Sequence, residues 1–213
     1  MPEFRLCVIT TRCDRLGRLH LDVARAALEG DCRLIQLRDK EMTTAELVKI
    51  AEQVRGLTSE HGAAFIVNDR VDVALAAGAD GVHLGPDDMP VETARRLMGP
   101  GAVIGASVAS VVEARAAEAA GASYVSVGAI YATPSKADAG APMGVGPIAE
   151  IKRAVSLPVL AIGGITCENV REVVRAGADG VAVISAVSEA EDMAQATRAL
   201  LARIRQAQEQ RSG

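Results

Sequence analysis

The chain has 213 residues, 49% of them hydrophobic, enough for one sizeable core and a single domain spanning 1–213. Its formal charge of −4 offers no basic footprint for nucleic acid or an anionic membrane. No apolar stretch approaches the roughly 20 residues that cross a bilayer, and the amino-terminal MPEFRLCVITTRC has too short an apolar run for a signal peptide. The expectation is a soluble, cytoplasmic protein.

In chain order, short β-branched runs recur: RLCVIT (5–10), RLIQLR (33–38), AFIVN (64–68) and GVHLG (81–85), then AVIGAS (102–107), YVSVGA (124–129), PVLAIGG (158–164) and GVAVIS (180–185). Between them lie Ala-, Glu- and Arg-rich segments with helical periodicity, such as 108–121 and 169–178. A phrase repeats as AAGADGV (76–82), AAGASYV (119–125) and RAGADGV (175–181). In each, Ala-Gly is expected to end a helix with the glycine in a left-handed cap, and Asp or Ser to turn the chain into the next strand. Strand–helix alternation at this spacing implies parallel pairing. Eight units in this length fit a closed (β/α)8 barrel with little decoration. A doubly wound open sheet would show fewer strands and a glycine fingerprint after the first, and neither is present.

Aromatic content is 2% with no Trp, so the core must be built from Ala, Val, Leu and Ile. The cysteines, Cys7, Cys13, Cys32 and Cys167, are scattered without a CxxC or a Cys/His cluster and read as structural thiols.

In a barrel of this kind the residues just after each strand converge on one face. Those positions hold Gln36, Arg38, Asp39 and Lys40; Asn68 and Asp69; Asp87 and Asp88; Ser107; then Thr133, Ser135 and Lys136 on the long loop 131–144. Gly163-Gly164 and Ile184-Ser185 end the last two runs. Cations, carboxylates and bare backbone amides at one mouth suggest a metal-bridged polyphosphate. Asp69 and Asp88, on neighbouring strands, are placed to share one Mg2+, an ion that prefers oxygen ligands and keeps waters and phosphate oxygens. Arg38, Lys40 and Lys136 would balance the remaining charge. AIGGIT (161–166), with a helix behind it, and VIS (183–185) read as a monophosphate cup. Simpler readings stand beside these: Asp87 or Asp88 as a cap for the fourth helix, Asp69 as a cap for the third, Arg38 as a partner of Asp39, and His83 as a core imidazole behind the site. The loop 131–144, rich in Gly, Ala and Pro, is expected to act as a mobile lid.

With those residues in hand, the chain resembles the thiamine phosphate synthase family along almost its whole length. The resemblance is carried by QLRDK (36–40), NDRVD (68–72), GVHLGPDDMP (81–90), TPSK (133–136), AIGGIT (161–166) and VIS (183–185). It implies the joining of a hydroxymethylpyrimidine diphosphate to a thiazole phosphate with release of diphosphate. By resemblance, Gln36, Leu37, Arg38, Asp39, Lys40, Asn68, Ser107 and Lys136 would hold the pyrimidine diphosphate. Among them Arg38, Lys40, Ser107 and Lys136 would act in catalysis. Asp69 and Asp88 would bind Mg2+, and Thr133, Pro134, Ser135, Gly164, Ile184 and Ser185 would hold the thiazole phosphate. The implied partners are small-molecule substrates, with a homo-oligomer possible. Three departures from the family pattern are Pro86 where Gln is frequent, Val108-Ala109-Ser110 where a His-Thr pair is common after Ser107, and Ala129 where Pro is usual. A related thiazole tautomerase shares the barrel but needs an acid/base near the thiazole and no metal–diphosphate site. Here Asp69, Asp88 and the QLRDK cations are intact, and no His follows the sixth run. A phosphate-ligand sensor on the same scaffold would bind without turnover.

Overall fold

The computed structural model describes residues 3–133 and 141–212. Eight strands close into one parallel barrel in sequence order, with β1 paired to both β2 and β8. The first half is built from β1 (Leu6–Thr10), α1 (His20–Glu29), β2 (Leu34–Leu37), α2 (Thr44–Glu60), β3 (Ala64–Asn68), α3 (Val71–Ala76), β4 (Gly81–Leu84) and α4 (Val91–Met98). The second half follows with β5 (Val103–Val108), α5 (Val111–Ala119), β6 (Tyr124–Val127), α6 (Gly146–Ala154), β7 (Val159–Ile162), α7 (Val170–Arg175) and β8 (Gly180–Val183). A short α8 (Ser185–Ser188) and a long α9 (Met193–Ser212) complete the ring, with α9 packed on α1 and α7. The (β/α)8 expectation is met. No helix among the described residues is long and apolar enough to cross a membrane.

The strands read as unbroken apolar runs because both faces are covered, yet side chains still alternate between two cores. In β1, Leu6 and Val8 face the helices while Cys7 and Ile9 face the barrel axis. In β2, Ile35 and Leu37 face outward and Leu34 faces inward. The inner core is stacked in order along the axis. Near the strand starts it holds Phe4, Leu34, Val103 and Tyr124, all buried. One layer toward the strand ends the inward positions turn polar: Gln36, Asn68, His83 and Ser126 are buried there, with Ser107 beside them. This polar layer is the base on which the site is built. Tyr124 reaches over β5 to His83 on β4 because its register neighbour Gly105 has no side chain; a Cβ there would lie 2.1 Å from the Tyr124 ring.

The repeated phrase becomes a repeated latch at the other end of the barrel. Gly78, Gly121 and Gly177 take φ values of +63°, +90° and +116° after α3, α5 and α7, as the helix-ending role requires. The polar residue two positions on then reaches back to the preceding strand. Asp80 Oδ2 accepts from Phe65 N at 2.8 Å and from the Arg55 guanidinium at 2.7 Å. Ser123 Oγ accepts from Ile104 N at 3.0 Å and from Arg95 at 3.0 Å. Asp179 Oδ2 accepts from Val159 N at 2.8 Å and from Lys152 Nζ at 2.7 Å. Each latch ties the start of one strand to the helices on either side of it, satisfying a donor the sheet alone leaves over.

Candidate active site

The carboxyl ends of the strands surround a cavity of about 340 Å3. Ten of the residues expected at the site line it: Arg38 and Lys40 after β2, Asn68 and Asp69 at β3, Asp88 after β4, Ser107 on β5, Thr133, Gly164, and Ile184 with Ser185 after β8. The cations and acids come from β2–β4 and the glycine loop and Ile184-Ser185 from β7 and β8, so the two groups occupy opposite walls. Pro134, Ser135 and Lys136, and with them the middle of the expected lid, lie outside the described residues. The stem of that loop is described: Tyr131 N donates to Gly163 O at 3.0 Å, and Met143 N to Ala129 O at 2.9 Å.

Three members of QLRDK are placed elsewhere. Gln36 is buried below the cavity, in the polar layer of the barrel axis. Leu37 packs outward against the helices, so only its backbone faces the mouth. Asp39 turns away from the cavity, its carboxylate engaged by Arg12 and His20.

Asp69 is one of two described non-glycine residues at positive φ, +63°. Its N–H donates to His83 O at 2.8 Å, which extends the β3–β4 ladder one step before the left-handed kink. Asp tolerates that conformation better than most residues, and strain of this kind is characteristic of functional positions. Asp69 does not cap α3, whose N-cap residue is Arg70 with no side-chain hydrogen bond. Neither Asp87 nor Asp88 caps α4, which starts behind Pro90. Asp88 instead folds back within the Gly85–Asp88 turn, its Oδ2 accepting from Gly85 N at 2.7 Å, while Asp87 is exposed.

Burial, together with the neighbouring Asp88 carboxyl, raises the Asp69 carboxyl from 3.8 to about 6, against the pull of Lys40 and Arg38. Lys40 Nζ lies 4.0 Å from Asp69 Oδ2. Two carboxylates pressed together in this way are destabilised as a pair unless a proton or cation lies between them. An all-oxygen donor pair beside open space fits a divalent ion completed by waters and ligand oxygens. Among the described residues no third acidic, His or Cys side chain joins them.

A buried polar chain runs beneath the cavity. Tyr124 Oη lies 2.8 Å from His83 Nδ1, and His83 Nε2 lies 3.0 Å from Ser107 Oγ. Burial holds the Tyr124 phenol protonated, well above its ordinary range. In a tautomer protonated at Nε2, the Tyr124 O–H donates to His83 Nδ1 and His83 Nε2–H donates to Ser107 Oγ, leaving the serine hydroxyl a hydrogen to donate elsewhere. The reading of His83 as an imidazole behind the site is met in this form. Ser126 and Gly128 also line the cavity and were not singled out in the sequence, and Ala129, one of the family departures, lines it too. Ser126 could have been found from its parity with Tyr124 on β6.

On the opposite wall Gly163 and Gly164 have φ of +103° and +61°, and Cβ atoms there would lie 2.7 Å from Ala129 Cα and 2.5 Å from Ala132 O. Only glycine lets this loop pass so close to the 129–132 strand of chain. Asn169 braces the loop, accepting from Thr166 N at 2.9 Å and donating to Gly164 O at 2.9 Å. The first amides ahead of α7 are thus satisfied from inside the loop, and the cup wall is formed by residues 163–165 with Ile184 and Ser185. Of the family departures, Pro86 is exposed on the cavity edge, and Ser110 caps α5, its Oγ accepting from Glu113 N at 3.2 Å.

A closed parallel barrel with cations, paired acids and a glycine loop converging at the strand ends has the build of a (β/α)8 enzyme. The family described as thiamine monophosphate synthase matches residues 6–187. The chain is 53% identical over 205 residues to the thiamine-phosphate synthase of Roseiflexus sp. (strain RS-1), covering 96% of this chain and 87% of that one. It is 53% identical over 201 residues to that of Methanoculleus marisnigri, covering 94% and 95%. Among solved structures, the thiamine phosphate pyrophosphorylase from Pyrococcus furiosus superposes with a TM-score of 0.88 at 45% identity, covering 96% of this chain and 97% of that one. The chain belongs to the thiamine monophosphate synthase family and is an enzyme of the transferase class.

Proposed function

We propose that the protein condenses 4-amino-2-methyl-5-(diphosphooxymethyl)pyrimidine with 4-methyl-5-(2-phosphoethyl)thiazole, supplied in its carboxylated form, to give thiamine phosphate, diphosphate and, from the thiazole carboxylate, carbon dioxide. The observation that supports this reading is the division of one cavity into two walls, cations and acids from β2–β4 facing a glycine loop from β7–β8, each suited to an anion. A single phosphorylated ligand needs one such wall; joining a diphosphate to a monophosphate needs both.

The pyrimidine diphosphate lies along the β2–β5 side, with Gln36 and Asn68 below it and Arg38, Lys40, Ser107 and Lys136 around the diphosphate. The methylene–oxygen bond breaks with its electron pair going to the departing diphosphate, and the electron-rich pyrimidine ring stabilises the cation left behind. Charge therefore grows on the diphosphate oxygens, where Arg38, Lys40 and Lys136 neutralise it and the Ser107 hydroxyl donates a hydrogen bond. Asp69 and Asp88 would hold a Mg2+ ion, which supplies further charge neutralisation to the diphosphate when bound. Thr133, Pro134, Ser135, Gly164, Ile184 and Ser185 hold the phosphate of the thiazole, whose ring nitrogen attacks the captured cation to form the new carbon–nitrogen bond. Holding both partners in one cavity supplies proximity. Leu37 and Asp39 meet the ligand through their backbone alone.

Incubation with both substrates and Mg2+, following diphosphate release and thiamine phosphate formation, tests this. Both products should appear in equal amounts and both should cease in chelator. Isomerisation of the thiazole phosphate alone, or binding of it with no product, would replace the proposal with a tautomerase or a sensor.

A further inference from the structure

The loop between β2 and α2 presents Arg38 and Lys40 to the cavity, while Asp39 between them points the other way, toward β1 and α1. Its side chain is 5% exposed, and four donors meet its two oxygens. Oδ2 accepts from Arg12 Nε at 2.8 Å and from His20 Nε2 at 3.0 Å. Oδ1 accepts from Glu41 N at 2.8 Å and Met42 N at 2.9 Å. An ionised carboxylate offers about four lone-pair sites, so this set uses its capacity in full.

Desolvation lowers the His20 imidazole below its ordinary range despite Asp39 beside it. A neutral ring that donates Nε2–H to a carboxylate must accept at Nδ1, and Thr10 Oγ1 lies 2.9 Å from that atom. Arg12 follows β1 and His20 opens α1, so the first barrel unit grips the loop of the second. At the far end of the same loop Thr43 caps α2, its Oγ1 meeting Glu46 Oε2 at 2.6 Å. The loop is held at both ends.

We infer that Asp39 is a positioning residue, clamped by Arg12 and His20 so that its two cationic neighbours face the diphosphate. Arg38 and Lys40 line the cavity and Asp39 between them does not, so holding Asp39 on the outside fixes the backbone from which its two neighbours reach inward. Both are long side chains with large rotamer freedom, and a backbone already in place lowers the ordering cost when the anion binds. The identity of that anion rests on the function proposed above; the clamp itself rests on the hydrogen bonds.

The test uses the whole protein, inorganic diphosphate with Mg2+ as the calorimetric probe, and steady-state kinetics varying each substrate. Asp39→Asn keeps the shape but loses the charge that holds Arg12, and Arg12→Gln removes the clamp from the other side. Both should weaken diphosphate binding, by roughly tenfold for Asp39→Asn, and lower kcat, with the thiazole phosphate KM unchanged. Asp80→Ala, at the opposite end of the barrel, should lower Tm and leave diphosphate affinity at the wild-type value. Wild-type affinity in folded Asp39→Asn overturns the inference. So does an equal loss in Asp80→Ala, or a loss in Asp39→Asn with none in Arg12→Gln, which would mean direct ligand contact. If Asp39→Asn does not fold, Arg12→Gln alone decides. A wild-type protein that binds no diphosphate overturns the assignment of that wall and this inference with it, whereas binding with unaltered variants overturns only the clamp.

Discussion

The two ends of the barrel use the same residue types to opposite effect. At the strand starts, Asp80 and Asp179 are each matched by a strand N–H and a cation within 2.8 Å. At the strand ends, Asp69 is set beside Asp88, and Lys40 Nζ is 4.0 Å away. One end spends its charges on holding strands and helices in register; the other sets two carboxyls together at the edge of an open cavity. A carboxylate's surroundings, rather than its presence, decide which of these it does.

The largest effect expected from this contrast is at the acids of the mouth. Asp88→Ala should reduce kcat/KM by roughly 10³-fold or more if it holds the metal at the departing diphosphate, while exposed Asp87→Ala stays near wild type. Stability should respond in the opposite sense. Asp69 is raised from 3.8 to about 6 in the folded protein, so the stability it contributes is full below its unfolded value and is lost as pH rises through about 6. In metal-free protein, the Tm difference between Asp69→Asn and wild type should therefore widen in the variant's favour between pH 4 and pH 7. A flat difference would mean that neither burial nor the Asp88 carboxyl raises Asp69.

Next in size is Lys136, assigned to the growing diphosphate charge. Lys136→Ala should lower kcat by roughly 10²- to 10³-fold. A change confined to the thiazole phosphate KM would instead place it on the opposite wall.

The strand-start end should give the mirror image. Asp80→Ala or Asp179→Ala leaves a buried strand amide without its acceptor and should cost about 1–3 kcal/mol by denaturant titration, with kcat at 25 °C unchanged. A kinetic defect at full folding would break the division between the two ends. Smallest is Ser185→Ala, since in the proposed function Ser185 holds a monophosphate whose charge hardly changes in bond breaking. It should raise the thiazole phosphate KM about tenfold, with kcat preserved.

The barrel was legible because parallel strands covered on both faces show as continuous apolar runs, and because the AGADGV phrase marks every second unit. Boundaries shifted where local bonding took over. The sixth run was expected to reach residue 129, but β6 ends at Val127, because the chain then leaves the barrel to form the loop stem at 129–131. The fifth helix starts at Val111 rather than near 108, because β5 runs on to Val108 and Ser110 makes the cap. At the site, residues following strand ends were readable by position alone. The outward turn of Asp39 was not, because it is set by Arg12 and His20, 27 and 19 positions away in the chain. Nothing local in RCDRLGRLH marks either residue for that task.

The scarcity of aromatic residues has a practical consequence. With no Trp and two Tyr, near-ultraviolet emission comes from Tyr124 and Tyr131 alone. Tyr124 sits in the barrel axis, its ring 5.0 Å from Phe4 and its hydroxyl on His83. Tyr131 stands at the mouth, its hydroxyl donating to Glu172 Oε2 at 2.8 Å, a carboxylate contact of the kind that quenches phenol fluorescence. Tyr131→Phe leaves a native optical probe of the barrel interior, and Tyr124→Phe one of the mouth. Each end of the molecule can thus be watched separately without attaching a dye.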